Sequence, residues 1–207
     1  MNCQSIPAAD CSRPLTAPPA ELDEALLREV ARNNQLAMRT LYMRHRVRLY
    51  RFIVRLVRDT ALAEDVLSET FLAAWRQAGR FQGRSTVSTW LFSIARHKAL
   101  TALDPRPLEA LDDELADTLA DPTLDPALAD RRRDTGAIVR RCLGALSPEH
   151  GEIIDLVYYQ EKSIKEIAAI VGIPLATVKT RMFYARKRLA TLVQAADVDR
   201  AITRTLV

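Results

Sequence analysis

The first feature of the chain is a helical spacing of apolar residues in its first half. Between residues 36 and 57, apolar side chains recur at intervals of three and four, which places them on one face of a helix. That face is expected to be buried. Its members are Leu36, Met38, Leu41, Tyr42, Leu49, Phe52, Ile53, Leu56 and Val57.

Capping residues indicate where further helices begin. Asp59 or Thr60 is suited to start one helix, and Ser85 or Thr86 another, because their side-chain oxygens can accept hydrogen bonds from free backbone N–H groups. Ser147, which is followed by proline, is a third strong start. The expected helices span residues 61–78, a segment reaching about 103, and residues 148–159, 163–170 and 175–193.

Composition supports the same fold class. The chain has only six glycines and is rich in Ala, Leu, Arg and Glu, and we find no strand-like alternation and no internal repeat. The sequence therefore predicts an all-α protein of two small helical domains joined by an acidic linker, with a helix-turn-helix as the C-terminal domain. The expected segments are a flexible tail at 1–20, an N-terminal helical domain at 21–103, the linker at 104–135, the C-terminal domain at 136–194 and a tail at 195–207.

Charge is distributed unevenly among these segments. Residues 21–103 carry a net charge of +6, residues 104–135 carry −6, and residues 136–207 carry +4. Basic segments favour polyanionic partners, whereas the acidic segment would be repelled by the same partner. Plain solvation explains such runs equally well unless other features agree.

Several classes of function find no support in the sequence. The cysteines and histidines are few and widely spaced, so we expect no metal site and no disulfide framework. No cofactor is expected either. No apolar run suits a signal peptide or a membrane span, so a soluble cytoplasmic protein without membrane insertion is expected. An enzyme would need clustered carboxylates or His and Cys near the basic surface, and we expect neither an enzyme nor a small-molecule substrate. The scattered residues are Cys3, Cys11, Cys142, His45, His97 and His150.

Residues 163–189, SIKEIAAIVGIPLATVKTRMFYARKRL, have the spacing of a helix-turn-helix. Ser163 and Glu166 form a capping-box pattern at the start of the first helix. Ala168 is small where two helices cross, and Gly172 follows four residues later, where a tight turn requires positive φ. Val178 then packs the second helix back on the first.

The second helix of this motif is expected to bind DNA. Its apolar positions fall on one face, while the other face exposes basic, hydroxyl and aromatic groups suited to phosphates and base edges in a major groove. A solvated basic helix is the simpler alternative, and the turn spacing argues against it. The candidate DNA-binding residues are Thr177, Lys179, Thr180, Arg181, Phe183, Tyr184, Arg186 and Lys187.

Two stretches of the chain resemble a known family. AEDVLSETFLAAW (63–75) and FQGRSTVSTWLFSIARHKAL (81–100) resemble the first conserved domain of extracytoplasmic-function (ECF) sigma factors, which belong to the sigma-70 family of bacterial RNA polymerase sigma factors. The segment ALSPEHGEIIDLVYYQEKSIKEIAAIVGIPLATVKTRMFYARKRL resembles the last conserved domain of that family. The resemblance covers about residues 30–103 and 136–193, in the family's order. It implies that the protein binds core RNA polymerase, directs it to selected promoters and helps to melt promoter DNA.

The resemblance assigns a polymerase contact to the helix at 61–78. Asp65 and Glu69 lie one turn apart, and like charges at this spacing cost about 0.2–0.5 kcal/mol in a lone helix, which favours a basic partner. Alternatively, these carboxylates complement the helix N-terminus or are simply solvated. The expected polymerase-binding residues are Asp65, Glu69, Leu72 and Arg76.

The loop and helix from Phe81 to Lys98 are implied to read the −10 promoter element as a single strand. Aromatic, hydroxyl and basic side chains there could hold flipped bases and clamp phosphates, which offsets the cost of unstacking the duplex. Trp90 and Phe92 are equally suited to a buried core. The expected −10 residues are Phe81, Arg84, Ser85, Thr86, Ser88, Thr89, Trp90, Arg96 and Lys98.

The resemblance implies further properties of the segments and partners. The recognition helix would read the −35 element, the acidic linker would thread through polymerase, and an anti-sigma factor would hold the protein inactive in a stress or envelope response. Ser68 stands where the family commonly has Gln, so the polymerase contact can differ in detail. The rival interpretation, an ordinary helix-turn-helix repressor or activator, leaves the first domain unexplained.

Overall fold

The computed structural model describes residues 19–103 and 141–205. The expected N-terminal tail (except residues 19 and 20) and the acidic linker lie outside the described residues. The helices are α1 (Pro19–Ala31), α2 (Gln35–Val57), α3 (Thr60–Gln77), α4 (Val87–Leu103), α5 (Pro148–Tyr158), α6 (Ile164–Val171) and α7 (Leu175–Thr205), with a 3-10 turn at Ala78–Arg80. The described residues contain no β-strand. The chain is therefore an all-α protein, with α1–α4 as the N-terminal domain and α5–α7 as the C-terminal domain.

The N-terminal helices begin at side-chain caps. The Asn34 side chain accepts hydrogen bonds from the backbone N–H groups at the start of α2, and the Asp59 carboxylate accepts one from the Leu62 N–H at 2.9 Å. The Thr86 hydroxyl accepts one from the Thr89 N–H at 3.2 Å. These bonds satisfy donors that a helix N-terminus would otherwise leave free. They confirm Asp59 and Thr86 as capping residues.

The core of the N-terminal domain follows the apolar spacing with one exception. Leu41, Leu49, Phe52 and Ile53 are fully buried in α2. Leu36, in contrast, is 73% exposed, so the expectation that it joins the buried face is wrong. The reason is angular: one residue of an α-helix turns by about 100°, which rotates Leu36 away from the row that its buried neighbours occupy.

Helix α1 is attached to α2 by a buried polar contact that the apolar pattern did not predict. His45 Nε2 lies 2.8 Å from Asp23 Oδ2, and Arg44 also reaches the Asp23 carboxylate at 3.1 Å. Asp23 and His45 are both buried. Buried polar groups are costly unless they are paired, so this contact gives α1 a defined position on the bundle.

The C-terminal domain contains the expected helix-turn-helix. The Ser163 hydroxyl accepts a hydrogen bond from the Glu166 N–H, and the Glu166 carboxylate accepts one from the Ser163 N–H at 3.0 Å, which completes the capping box. Gly172 ends α6 with φ +74°. Val178 is fully buried, as expected for the residue that packs α7 against α6.

Helix α7 is longer than the sequence analysis expected. The apolar face of the recognition helix runs out near residue 193, and the segment from residue 195 was expected to be a tail, yet the helix continues to Thr205. Neither glycine nor proline occurs between Leu175 and Thr205. Because those are the two residues that most strongly end helices, periodic burial alone was a poor guide to the C-terminal end.

Replacing Gly172 with alanine is expected to destabilise the protein by about 1–2 kcal/mol, because a Cβ is unfavourable in the left-handed region. No heavy atom lies within 4 Å of the added Cβ, so the effect would come from the backbone alone. Thermal unfolding followed by circular dichroism measures it. The control is Gly151→Ala within α5, which also has an open surrounding and is expected to stabilise by about 0.5–1 kcal/mol. Equal melting temperatures for the two variants would contradict the role of Gly172.

The two domains pack directly against each other. Helix α4 contacts α6, and α2 contacts α5. Buried apolar residues of the two domains form one continuous cluster, in which Phe52 and Phe92 of the N-terminal domain meet edge to face at 5.1 Å and to which Ile167 and Val178 also belong. The interface includes part of α4, the helix that carries several of the predicted −10 residues.

Candidate nucleic-acid interface

The recognition helix exposes the residues that the sequence analysis selected for DNA. The residues that face away from the domain core are exposed, with Phe183 at 63% and Tyr184 at 54%, while Ala185 on the opposite side is fully buried. Thr177 and Arg181 are half-buried. The exposed members of the set are Lys179, Thr180, Phe183, Tyr184, Arg186 and Lys187.

Neighbouring groups hold several of these side chains in place. Arg181 Nη2 lies 3.0 Å from Glu149 Oε2 at the start of α5. Phe183 and Tyr184 pack edge to face with ring centroids 5.4 Å apart. The Arg186 guanidinium lies 5.7 Å from the Tyr158 ring centroid. The sequence analysis missed Glu149 and Tyr158, because the contacts join α5 to α7 and only tertiary packing brings those helices together.

The loop that precedes α4 and contains Phe81, here called the aromatic loop, contributes to packing as well as to the surface. Phe81 and Trp90 are half-buried, and their ring centroids are 5.4 Å apart. Phe92 is buried, which confirms the alternative that it belongs to the core. Arg84 and Thr86 are exposed and Ser85 is half-buried, so this loop carries a guanidinium and two hydroxyls in addition to the Phe81 ring.

Three of the expected −10 residues instead face the C-terminal domain. Thr89 is 1% exposed, and its hydroxyl donates a hydrogen bond to Glu166 Oε1 at 2.7 Å. Ser88 Oγ accepts one from Lys162 Nζ at 2.9 Å. The remaining member of this group, Arg96, donates from Nε to Glu152 Oε1 at 2.6 Å.

The Glu166 carboxylate has two structural duties, as half of the capping box and as the acceptor for Thr89. Burial opposes its ionisation, but hydrogen bonds from the Ser163 backbone, Thr89 and the Ser163 hydroxyl, together with the Lys162 charge, outweigh burial and lower the pKa to about 2. Burial also lowers the pKa of Lys162, which the nearby Glu166 charge partly counteracts. The Glu166 carboxylate is therefore ionised at neutral pH.

The acidic stripe of α3 points to solvent. Asp65, Glu69, Leu72 and Arg76 are all exposed, with Leu72 at 49%. Glu69 Oε2 lies 3.0 Å from the Nζ of Lys98, a residue of the expected −10 set. Phe71 is buried on the other side of the helix.

Within residues 19–103 and 141–205, no three His, Cys, Asp or Glu side chains converge on a point that could bind a metal ion. Over the same ranges no single helix is long and apolar enough to cross a membrane, although α6 and the first part of α7, bent by 104°, meet the length and composition criteria as a pair.

Comparison with known proteins gives the family. The Sigma-70 region 2 model matches residues 41–105, and the Sigma-70 region 4 model matches residues 137–189. RNA polymerase sigma-H factor of Pseudomonas aeruginosa is 30% identical over 185 residues, which cover 84% of this chain and 95% of that protein. The chain belongs to the sigma-70 family.

A second relative shows that this sigma factor belongs to the ECF group of that family. ECF RNA polymerase sigma factor SigL of Mycobacterium tuberculosis is 32% identical over 166 residues, which cover 79% of this chain and 92% of SigL. Among solved structures, CnrH in complex with the cytosolic domain of CnrY superposes with a TM-score of 0.63 at 26% identity and covers 84% of this chain and 98% of CnrH. The protein is thus an RNA polymerase sigma factor, and the all-α fold of two domains agrees with the family.

Proposed function

We propose that this sigma factor reads two promoter elements with different surfaces and binds core RNA polymerase with a third. The observation that carries the proposal is the exposed basic and aromatic face of α7 directly after the Gly172 turn. That geometry suits the major groove of a duplex, so the residues of this face are assigned to the −35 element. They are Thr177, Lys179, Thr180, Arg181, Phe183, Tyr184, Arg186 and Lys187.

The −10 element is assigned to the aromatic loop and α4. Phe81 packs on Trp90, and Arg84, three residues further along the chain from Phe81, is exposed. A single strand can stack a base on such rings while the guanidinium binds its phosphate. The proposed −10 residues are Phe81, Arg84, Ser85, Thr86, Ser88, Thr89, Trp90, Arg96 and Lys98.

Core polymerase is assigned to the exposed stripe of α3. Its carboxylates suit a basic partner surface, and exposed Leu72, one turn beyond Glu69, adds apolar contact. The proposed residues are Asp65, Glu69, Leu72 and Arg76. By this assignment the functional domains extend over residues 21–103 and 136–194, and the linker at 104–135 connects them within the polymerase.

An anti-sigma factor is proposed as the regulatory partner. The support is the solved structure of CnrH with the cytosolic domain of CnrY, because the similarity to CnrH covers 84% of this chain and 98% of CnrH. The proposed partners, polymerase and promoter DNA, place the protein in the cytoplasm. We assign it a binding role in initiation and no catalytic step of its own.

Run-off transcription with core polymerase and a promoter library tests the proposal. Core polymerase with this factor is expected to start transcripts at a defined set of promoters that share −35 and −10 sequences, whereas core polymerase alone is not. A helix-turn-helix repressor would instead bind duplex operators by itself and would never associate with core polymerase. That result would contradict the proposal.

A further inference from the structure

Helix α1 is held on α2 by a polar contact that lies inside the N-terminal domain. His45 Nε2 of α2 lies 2.8 Å from Asp23 Oδ2 of α1, and Arg44 Nη1 lies 3.1 Å from Asp23 Oδ1. The side chains of Asp23 and His45 are only 9% and 10% exposed. A single carboxylate of α1 is therefore bound by two adjacent side chains of α2.

This contact fixes the position of α1 more than it drives the packing of the helix. Leu27 and Val30 already bury the apolar side of α1, since each is 1% exposed. Buried polar groups lose their hydration, and pairing offsets that loss only in part. Hydrogen bonds require a particular distance and direction, however, so the pair favours one placement of the helix over neighbouring ones. The Asp23–His45 contact therefore determines where α1 lies on the bundle.

Helix α1 also packs against the segment that leads into the aromatic loop. It contacts the 3-10 turn Ala78–Arg80, together with α3 and α4. Ala78 is 5% exposed, and its carbonyl oxygen accepts a hydrogen bond from the Phe81 N–H at 3.2 Å. The backbone at Phe81 is thus attached to a turn that packs on α1.

The two aromatic rings of the proposed −10 surface are carried by neighbours of α1. Phe81 directly follows the 3-10 turn, and Trp90, whose ring centroid lies 5.4 Å from that of Phe81, belongs to α4. Residues 81–86, between the turn and α4, form neither helix nor strand. Because this loop has no regular structure of its own, the relative placement of the two rings depends on the turn and on α4, and α1 contacts both.

We propose that Asp23 and His45 are positioning residues for −10 recognition. By fixing α1 on α2, they hold the turn and the helix that present Phe81 and Trp90 to an unpaired strand. Both positioning residues are buried, so their effect on DNA must pass through α1. The inference rests on the −10 assignment made above. A site whose rings are already in place does not have to order them on binding, which raises its affinity for the strand.

The test removes one partner of the buried pair and compares the result with a conservative replacement. His45→Ala leaves the Asp23 carboxylate without its partner on that side, whereas His45→Gln keeps a side-chain N–H that can donate to it. Arg32→Ala is the matched control, because it breaks the exposed ion pair between Arg32 and Glu29 at the end of α1 and leaves the contact with α2 intact. Circular dichroism checks that each variant keeps its helix content at the temperature of the measurements.

Fluorescence of Trp90 reports the placement of the two rings. The chain has two tryptophans, so the measurement uses the full chain with Trp75→Phe as its background, which leaves Trp90 as the emitting residue. His45→Ala is expected to shift the Trp90 emission to longer wavelength, because displacement of Phe81 exposes the indole to water. His45→Gln and Arg32→Ala should keep the emission of the background.

Holoenzyme formed from core polymerase and the full chain gives the functional measurement. The probe is a single-stranded oligonucleotide that carries the −10 strand of a promoter found by run-off transcription. With His45→Ala it is expected to bind about tenfold more weakly, because binding must then order two aromatic side chains again. His45→Gln should restore most of that affinity. A −35 duplex and core polymerase should bind as with wild type, since α7 and the exposed stripe of α3 are assigned to them.

The outcomes separate the positioning role from the −10 assignment. Unchanged −10 affinity for His45→Ala overturns the inference, and a reduced affinity with unchanged Trp90 emission overturns the route through the two rings. An equal loss of binding to the −10 strand, the −35 duplex and core polymerase also overturns it, since that pattern indicates a general loss of structure. Phe81→Ala tests the −10 assignment separately. If Phe81→Ala binds the strand as wild type does, the assignment itself fails, whereas a loss with Phe81→Ala but not with His45→Ala removes only the positioning role.

Asp23→Asn is a second variant that disturbs the fold less than His45→Ala. It keeps the shape of the side chain and an oxygen that can accept from His45, but it removes the charge that pairs with Arg44. The variant is expected to weaken binding of the −10 strand by a smaller factor, about threefold. If His45→Ala does not fold, a wild-type affinity of Asp23→Asn for the −10 strand would by itself contradict the positioning role.

Discussion

Alanine at both Lys179 and Lys187 is expected to lower the affinity of the holoenzyme for a −35 duplex on the order of 10- to 100-fold at physiological salt. Both lysines lie on the exposed face of α7. Among the described residues, neither lysine forms an ion pair, whereas Arg181 of the same helix does. Each lost phosphate contact should also reduce the slope of log affinity against log salt by about one. Fluorescence anisotropy with a labelled −35 duplex measures both quantities.

The control for that experiment is Arg32→Ala, which removes one exposed cation at the end of α1, far along the chain from the recognition helix. Its affinity and salt slope should match wild type. If the lysine double variant keeps the wild-type slope, those two side chains do not contact phosphates. A change confined to particular −35 sequences would instead assign them to base edges.

Reversing the charges of Asp65 and Glu69 to lysine is expected to weaken binding to core polymerase on the order of 100-fold, because like charges brought together at an interface cost several kcal/mol. The loss should apply to every promoter equally, since α3 is assigned to polymerase and not to DNA. Titration of labelled sigma factor with core polymerase, followed by fluorescence, gives the dissociation constant.

Two further variants make that result specific. Glu64→Lys reverses an exposed charge on the same helix, about 100° away from the stripe. Glu64 lies near Tyr50, whose pKa is raised by burial and, to a smaller extent, by the Glu64 charge. It should bind polymerase as wild type. Asp65→Lys alone avoids disturbing the Glu69–Lys98 pair. If Asp65→Lys binds normally and only Glu69→Lys is weak, the stripe is not the docking surface and Lys98 is the affected group.

Local patterns in the sequence predicted most of the fold because local interactions determine them. The capping box at Ser163, the positive-φ turn at Gly172 and the cap at Asp59 each involve residues within four positions of one another. The buried row of α2 follows from the geometry of a single helix. Two errors arose within single helices: Leu36 lies off the buried row of α2, and the end of α7 follows helix-forming tendency rather than burial.

The candidate site also has a part that local patterns predicted and a part that they did not. The exposed basic face of α7 could be predicted from the sequence, because the opposite face has apolar residues at helical spacing. The turn at Gly172 also indicated where this helix begins. The fates of Thr89 and Arg96 could not, since their partners Glu166 and Glu152 lie 77 and 56 positions away. Nothing in a residue's neighbours along the chain indicates such a partner.

The sequence by itself therefore determined the helices, the helix-turn-helix and the chemical character of each surface, all of which depend on spacing over a few residues. The tertiary structure alone decided which of those surfaces are available. Packing α4 on α6 buries Thr89, and Glu152 of α5 pairs with Arg96, whereas Lys179 stays exposed. Burial and ion pairing across domains depend on distances in space, and the order of residues along the chain does not contain those distances.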